Sequence, residues 1–294
     1  MPLQRFSITR NAVFEALERE QRLDGAITKV RRLAATIVRP AALRRALSGT
    51  DLGHPAHPVL VQAPIGLWSS AWLLDVMGWG RTKGARRLVA LGVLAALPAV
   101  ASGASDWVDT DEAEARVGLV HAATNTIALA CFATSWLRRR KGRHSGAAFS
   151  TLGMAVATTG GFLGGHLAYA LGVGVDTNAF EVGPEEWTAV RGNVPTEPLV
   201  ARTADGVRVL VAQVEEGRFA LADRCSHRGG PLSDGNLEGS CVTCPWHGSR
   251  FDLKTGVPTK GPASVPQPVY ESRVRKGKLE LRRREARALR QRAV

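Results

Sequence analysis

Residues 224–252 contain the segments Arg224-Cys225-Ser226-His227-Arg228-Gly229-Gly230-Pro231 and Cys241-Val242-Thr243-Cys244-Pro245-Trp246-His247-Gly248-Ser249-Arg250-Phe251-Asp252. The frame is Cys-x-His, sixteen intervening residues, then Cys-x-x-His. A zinc finger places its two cysteines together and its two histidines together. Here each half supplies one sulfur and one nitrogen. That alternation suits a [2Fe–2S] cluster in which one iron takes both thiolates and the other both imidazoles, each of two adjacent loops giving one ligand to each iron. A four-ligand zinc site is the alternative. Three of the four cysteines crowd into residues 225–244, and four in 294 residues are too few for a disulfide scaffold.

The motif resembles that of Rieske [2Fe–2S] domains, over about residues 187–281. The resemblance implies that Cys225 and Cys244 bind the inner iron and that His227 and His247 bind the outer one. Neutral imidazoles in place of two thiolates raise the potential into the range of about −150 to +300 mV. The outer ring edges would face solvent, as an electron exit and a coupled proton site. Rieske proteins of the cytochrome bc type carry two further cysteines where Gly230 and Trp246 stand here, so the chain resembles the ferredoxin and oxygenase branch, toward the low end of potential. Ser249 is placed either to donate a hydrogen bond to a cluster sulfur or to serve as a turn residue. Cys241 lies outside the frame and reads as a packed thiol. Gly261–Pro268 resembles the proline loop that covers the cluster in this family. Flanking strands are expected at Val207–Val214 and Phe219–Ala222, with a hairpin of Val269–Val274 and Lys278–Leu281 around Lys276-Gly277.

Upstream lie four apolar stretches, Val59–Trp79, Leu88–Val108, Val117–Leu137 and Ala147–Val175. Each is near or above the roughly 20 residues a helix needs to cross a bilayer. The short linkers alternate in sign: basic at Arg81–Arg87, acidic at Asp106–Glu114, basic again at Arg138–Arg143. This pattern predicts an antiparallel four-helix membrane bundle; a soluble bundle of buried helices is the alternative. Gly160, Gly161, Gly164 and Gly165 in the last stretch either let two helix backbones approach closely or leave room for a flat cofactor. The segments His54-Pro55-Ala56-His57-Pro58 and Gly160-Gly161-Phe162-Leu163-Gly164-Gly165-His166 resemble a bacterial membrane family catalogued as domain of unknown function 2231, over roughly residues 50–175. That family implies no activity.

His54, His57, His121 and His166 fall toward one side of such a bundle. Ionisable groups at that depth are functional candidates, so His57, His121 and His166 are candidate ligands of a b-type haem or hydrogen-bond partners of a quinone, with hydrogen-bonded structural histidines as the alternative.

The formal charge is +13, from 39 Lys and Arg against 26 Asp and Glu. It divides into +5 over residues 1–58, +4 over 59–145, −4 over 146–186, +1 over 187–270 and +7 over 271–294. The excess lies in tails and loops, so a nucleic-acid groove is not indicated. Residues 11–47 read as a basic amphipathic helix on an anionic lipid surface, through Val13, Leu17, Ile27, Val30, Leu33 and Ile37; Arg282–Arg292 reads as a solvated tail. No apolar run precedes about residue 59, so no secretory signal peptide is expected.

The expected fold class is an α + β two-domain chain, an α-helical transmembrane four-helix bundle followed by a small all-β Rieske domain. The expected limits are a basic tail over 1–50, the membrane domain over 51–176, a linker over 177–186, the Rieske domain over 187–281 and a basic tail over 282–294. The expected location is a bacterial cell membrane, multi-pass, with the Rieske domain on the cytoplasmic side. The expected function is one-electron transfer through a [2Fe–2S] cluster, with membrane lipid and an unidentified redox partner, and haem b or quinone as additional cofactors. A ferredoxin serving a separate oxygenase and an iron–sulfur redox sensor are alternatives. An oxygenase in its own right is excluded, because no frame for two His and one carboxylate remains outside the cluster.

Overall fold

The computed structural model describes residues 12–181 and 183–284. Its helices are α1 (Asp24–Val38), α2 (Ala41–Ser48), α3 (Ala56–Leu60), α4 (Gln62–Val76), α5 (Lys83–Trp107), α6 (Glu112–Arg140) and α7 (Gly146–Tyr169). Together α3 and α4 form an apolar segment of 21 residues, Ala56–Val76, and α5, α6 and α7 are each long and apolar enough to cross a membrane. Local signals set their ends. The Thr82 hydroxyl accepts from the Ala85 amide at 3.2 Å to start α5. Asp111 and Glu114 form a capping box at the start of α6, and Arg138–Arg140 occupy its last turn, where cations complement the helix dipole.

Small residues line the inside of this bundle, with Ala71, Ala85, Ala96, Ala99, Ala128, Ser102 and Ser135 all buried. Large apolar side chains point outward: Leu73, Leu91, Leu94, Leu97, Ile127, Leu152 and Phe162 are each more than half exposed. A water-soluble bundle sorts its residues the other way; small residues at helix contacts are what lipid-embedded helices use to approach closely. At the centre, Trp68 stacks on Phe132 with centroids 4.2 Å apart. The glycines of α7 divide. A Cβ on Gly160 would lie 2.5 Å from Asn125 Oδ1 and one on Gly164 3.0 Å from His121 Cε1, whereas Gly161 and Gly165 face open space. Close approach of α6 to α7 therefore accounts for the first pair.

One end of the bundle is tied by a buried ion pair, Arg139 to Asp75 at 2.5 Å, with side chains 6% and 4% exposed. Arg139 also donates to the Ser135 hydroxyl at 3.1 Å, to the Ser150 hydroxyl at 3.0 Å and to the Gly80 carbonyl. At the other end α1 packs through Ile27, Ala34 and Val38. Arg116 grips Asp24 with two bonds of 2.8 and 2.9 Å, and holds its carboxyl below the usual range. Val30, Leu33 and Ile37 form a second, outward apolar stripe on α1. The single helix expected over 11–47 is broken at residues 19–23, after a helical stretch over 12–18, and again before Pro40, whose ring cannot continue it.

The rest is antiparallel β-structure in two sheets. The strands are β1 (Thr188–Ala189), β2 (Leu199–Ala204), β3 (Val207–Val214), β4 (Gly217–Ala222), β5 (Asn236–Glu238), β6 (Cys241–Thr243), β7 (Arg250–Asp252), β8 (Pro258–Lys260), β9 (Val269–Arg275) and β10 (Lys278–Arg283). One sheet runs β1-β10-β9-β4-β3-β2 and the other β5-β6-β7-β8. Lys276 and Gly277 both take positive φ, 50° and 73°, as a two-residue turn between β9 and β10 requires. In β3, Val209 and Val211 pack on one face while Leu210 and Ala212 pack on the other, so this strand is covered on both sides. The Leu210 face, with Leu221, Leu232, Phe251 and Leu253, also buries Cys225 and Cys244.

Contacts divide the chain at places other than the expected limits. One unit holds the described residues up to Pro40 together with Ala56–Val173; the other holds Ala41–Pro55 and the described residues from Gly174 onward. The short α2 segment therefore belongs with the β-strands, and so does the stretch expected as a linker. Residues 285–294, most of the expected basic tail, lie outside the described residues.

Replacing Asp75 by Ala leaves the Arg139 guanidinium buried without its carboxylate. The expected cost is roughly 3 kcal/mol, measured as a lowered midpoint of thermal unfolding in detergent micelles.

Candidate metal centre

Two loops converge on the face of the β-unit that carries the buried cysteines. The first leaves β4 and the second joins β6 to β7, and the backbone closes both in the same way. The Cys225 amide donates to the Gly230 carbonyl at 2.9 Å and the Gly229 amide to the Cys225 carbonyl at 2.8 Å. The Cys244 amide donates to the Ser249 carbonyl at 2.8 Å and the Gly248 amide to the Cys244 carbonyl at 3.2 Å. Gly229 and Gly248, with φ of 77° and 73°, occupy the left-handed position in each loop, where a Cβ would be strained.

The twin turns place like atoms together. The Cys225 thiol donates to the Cys244 sulfur, which draws the Cys244 thiol down to about 6 and holds Cys225 well above the usual range, with burial adding to the latter. Backbone amides of His227 and Arg228 point at the first sulfur, and those of Trp246 and His247 at the second. The imidazoles of His227 and His247 lie edge to face with centroids 5.1 Å apart. Burial pushes the His227 ring down to about 3, which keeps it neutral and fit to ligate a metal. Among the described residues no three His, Cys, Asp or Glu side chains close around a single metal ion. The geometry thus sets sulfur beside sulfur and imidazole beside imidazole. A Cβ on Gly230 would come within 3.0 Å of Cys244 Sγ and 2.9 Å of the Trp246 ring, so the cradle has no room for a side chain there.

A third loop, Gly261–Pro268, braces the other two. The Ser226 hydroxyl donates to the Val265 carbonyl at 2.7 Å, and the Ala263 amide donates to the buried Ser249 hydroxyl at 2.9 Å. Ser249 therefore has a structural partner that its turn position did not require. Cys241 lies at the start of β6, outside this cradle.

Sequence reasoning missed two supports. Thr177 donates to the Cys225 carbonyl at 2.8 Å, and the buried Asn178 donates to the Arg224 carbonyl at 2.8 Å. On the other side, Thr50 donates to the Ala263 carbonyl at 2.9 Å and Arg45 to the Thr259 carbonyl at 3.0 Å. Residues 41–55 thus form a strap across the bracing loop. Gly49 and Gly53, both at positive φ, flank Thr50–Leu52, and nothing in the local sequence points to a partner 213 residues away.

The membrane histidines lie in the other unit, each on an internal partner. His57 Nδ1 is 3.0 Å from the Ala99 carbonyl and His121 Nδ1 is 2.8 Å from the Gly160 carbonyl. His166 Nε2 is 2.7 Å from Glu18, and its ring stacks on Phe14 with centroids 4.0 Å apart.

A β-rich unit thus carries two thiols and two imidazoles on twin loops. Residues 187–271 match the family described as the Rieske [2Fe-2S] domain, and the chain belongs to that family. Residues 53–177 match the family described as predicted membrane protein (DUF2231). The chain is 37% identical over 81 residues to the anthranilate 1,2-dioxygenase ferredoxin subunit of Burkholderia cepacia, covering 28% of this chain and 75% of that protein. It is 38% identical over 69 residues to ferredoxin CarAc of Metapseudomonas resinovorans, spanning 24% of this chain and 64% of that protein. Among solved structures, the ferredoxin of carbazole 1,9a-dioxygenase from Nocardioides aromaticivorans IC177 aligns with 33% of this chain and 98% of its own, at 26% identity and a TM-score of 0.31. Family membership implies a [2Fe–2S] cluster and supports electron transfer.

Thr50→Val removes the strap's buried hydrogen bond and leaves the Ala263 carbonyl unpaired. A loss of about 1–3 kcal/mol is expected, detected as faster amide hydrogen exchange across 41–55 and 259–266 in the full chain.

Proposed function

We propose that this chain is a membrane-bound one-electron carrier in which Cys225 and Cys244 hold one iron of a [2Fe–2S] cluster and His227 and His247 hold the other. The observation that carries the reading is the pairing of the twin loops, sulfur beside sulfur and imidazole beside imidazole. When bound, the cluster supplies a one-electron couple in the range of about −150 to +300 mV. The protein's part is to fix and tune. Four backbone amides aimed at the two sulfurs stabilise negative charge there, and the Ser226 and Ser249 hydroxyls lock the loops to the proline segment. Trp246, 58% exposed, stands beside His247 at 6.4 Å between ring centroids, so the imidazole side of the site lies next to an open aromatic edge.

The outward apolar surface of α3–α7 supports insertion of the helical unit in lipid. A second observation agrees. The strap at 41–55 and the loop at 259–266 share a hydrogen-bonded unit, which requires both on one side of a membrane; an even number of crossings between them provides this. The apolar stripe of Val30, Leu33 and Ile37 on α1 suits contact with the lipid surface on that side. For His57, His121 and His166 the internal hydrogen bonds favour a structural role over haem or quinone binding.

The relative named as a dioxygenase ferredoxin subunit favours one partner class, an oxygenase component that accepts the electron.

Optical and EPR spectra of detergent-purified protein, before and after dithionite, test these readings together. About two irons per chain and a reduced signal of the Rieske type are expected. Cys244→Ser or His247→Ala should abolish the signal and take the iron content toward zero, whereas Cys241→Ser should leave both unchanged. A wild-type protein with one zinc and no such signal would refute the cluster. A Soret band that disappears in His121→Ala would restore the haem role.

A further inference from the structure

The end of the helical unit where Asp75 and Arg139 meet contains a cavity of about 260 Å³ between the α4–α5 and α6–α7 connections. Arg81, Lys83, Arg86, Arg143 and His144 line it together with that ion pair. Asp75 is its only lining carboxylate, and Arg139 already neutralises it at 2.5 Å. Arg81, Lys83, Arg86 and Arg143 belong to no ion pair among the described residues. The N-termini of α5, at Lys83, and of α7, at Gly146, open at the same end, and each brings the partial positive charge of its helix dipole.

We propose that this cavity binds a phosphate-bearing anion, with Lys83, Arg86 and Arg143 as its charge contacts. Four cations gathered around one recess repel each other until a counter-charge enters, and the fixed Arg139 cannot turn away because its guanidinium is held by Asp75, Ser135, Ser150 and the Gly80 carbonyl. Basic loops that only orient helices in a membrane need to be near the lipid surface; they need not converge on one open recess at two helix N-termini. The cavity is slightly smaller than the roughly 300 Å³ at which sites for drug-sized ligands begin. It therefore suits a compact group such as a phosphodiester headgroup or inorganic phosphate. Both sources offer the same chemistry, and an anionic lipid lies within reach of a basic pocket at a helix end.

The test uses the full chain, delipidated in a neutral detergent. Binding of phosphatidylglycerol, phosphatidylcholine and inorganic phosphate is measured separately by native mass spectrometry and by calorimetry. Phosphatidylglycerol is expected to bind at least about tenfold more tightly than phosphatidylcholine, and Lys83→Gln with Arg86→Gln and Arg143→Gln to lose that preference. Arg139 stays untouched, because it holds the fold; an unchanged unfolding midpoint shows that the triple variant is folded. Arg86→Lys with Arg143→Lys should retain most of the binding. Phosphate that binds alone, with no preference between the two lipids, assigns the site to a soluble anion. The proposal fails if neither phosphate nor phosphatidylglycerol binds better than phosphatidylcholine, or if the folded triple variant binds as wild type does. Neither result bears on the cluster.

Discussion

Everything in the β-unit follows from the need to present two sulfurs and two nitrogens as matched pairs from different parts of the chain. Two turns closed by the same pair of backbone hydrogen bonds meet that need, and each carries a left-handed glycine at the same place after its cysteine. The sheets hold the turns at the right separation, with Leu221, Leu232 and Phe251 packed beneath them. Serine hydroxyls at 226 and 249 then fasten both turns to one bracing loop. Rigid support of this kind holds the four side chains at fixed separations.

The helical unit sorts its residues in the opposite way. Alanine, serine and glycine face inward and leucine faces out, which in water would expose a large apolar surface. Several of its buried polar side chains are paired inside the unit: Arg139 with Asp75, His57 with a carbonyl of α5, His121 with a carbonyl of α7. A histidine hydrogen-bonded to a backbone carbonyl holds two helices at a fixed separation. His57 and His121 each bridge two helices in this way.

Much of this was legible in the residues. The metal frame is short-range and chemically constrained, so Cys225, His227, Cys244 and His247 stood out, and the four apolar stretches fell within a few residues of the observed helices. The hairpin at Lys276-Gly277 could be read because its turn demands particular residues. What escaped notice was long-range. Thr50 and Arg45 have no feature that distinguishes them from any polar residue before a helix, and their importance comes from carbonyls more than 200 positions away. Thr177 and Asn178 looked like linker because polar residues between domains usually are. The histidines were found, but spacing alone could not tell a ligand from a hydrogen-bonded strut.

The strap has a consequence for how the molecule is made. Residues 41–55 leave the ribosome before any apolar helix, and the loop they fasten emerges only after all of Ala56–Val173. The β-unit is therefore stitched from segments on either side of Ala56–Val173, and its final hydrogen bonds must wait until the helices between them have been made. A gene fragment cut at the start of the family match, residue 187, would leave behind Thr50, Thr177 and Asn178. Such a fragment would encode every ligand and yet lack part of the frame that keeps them still.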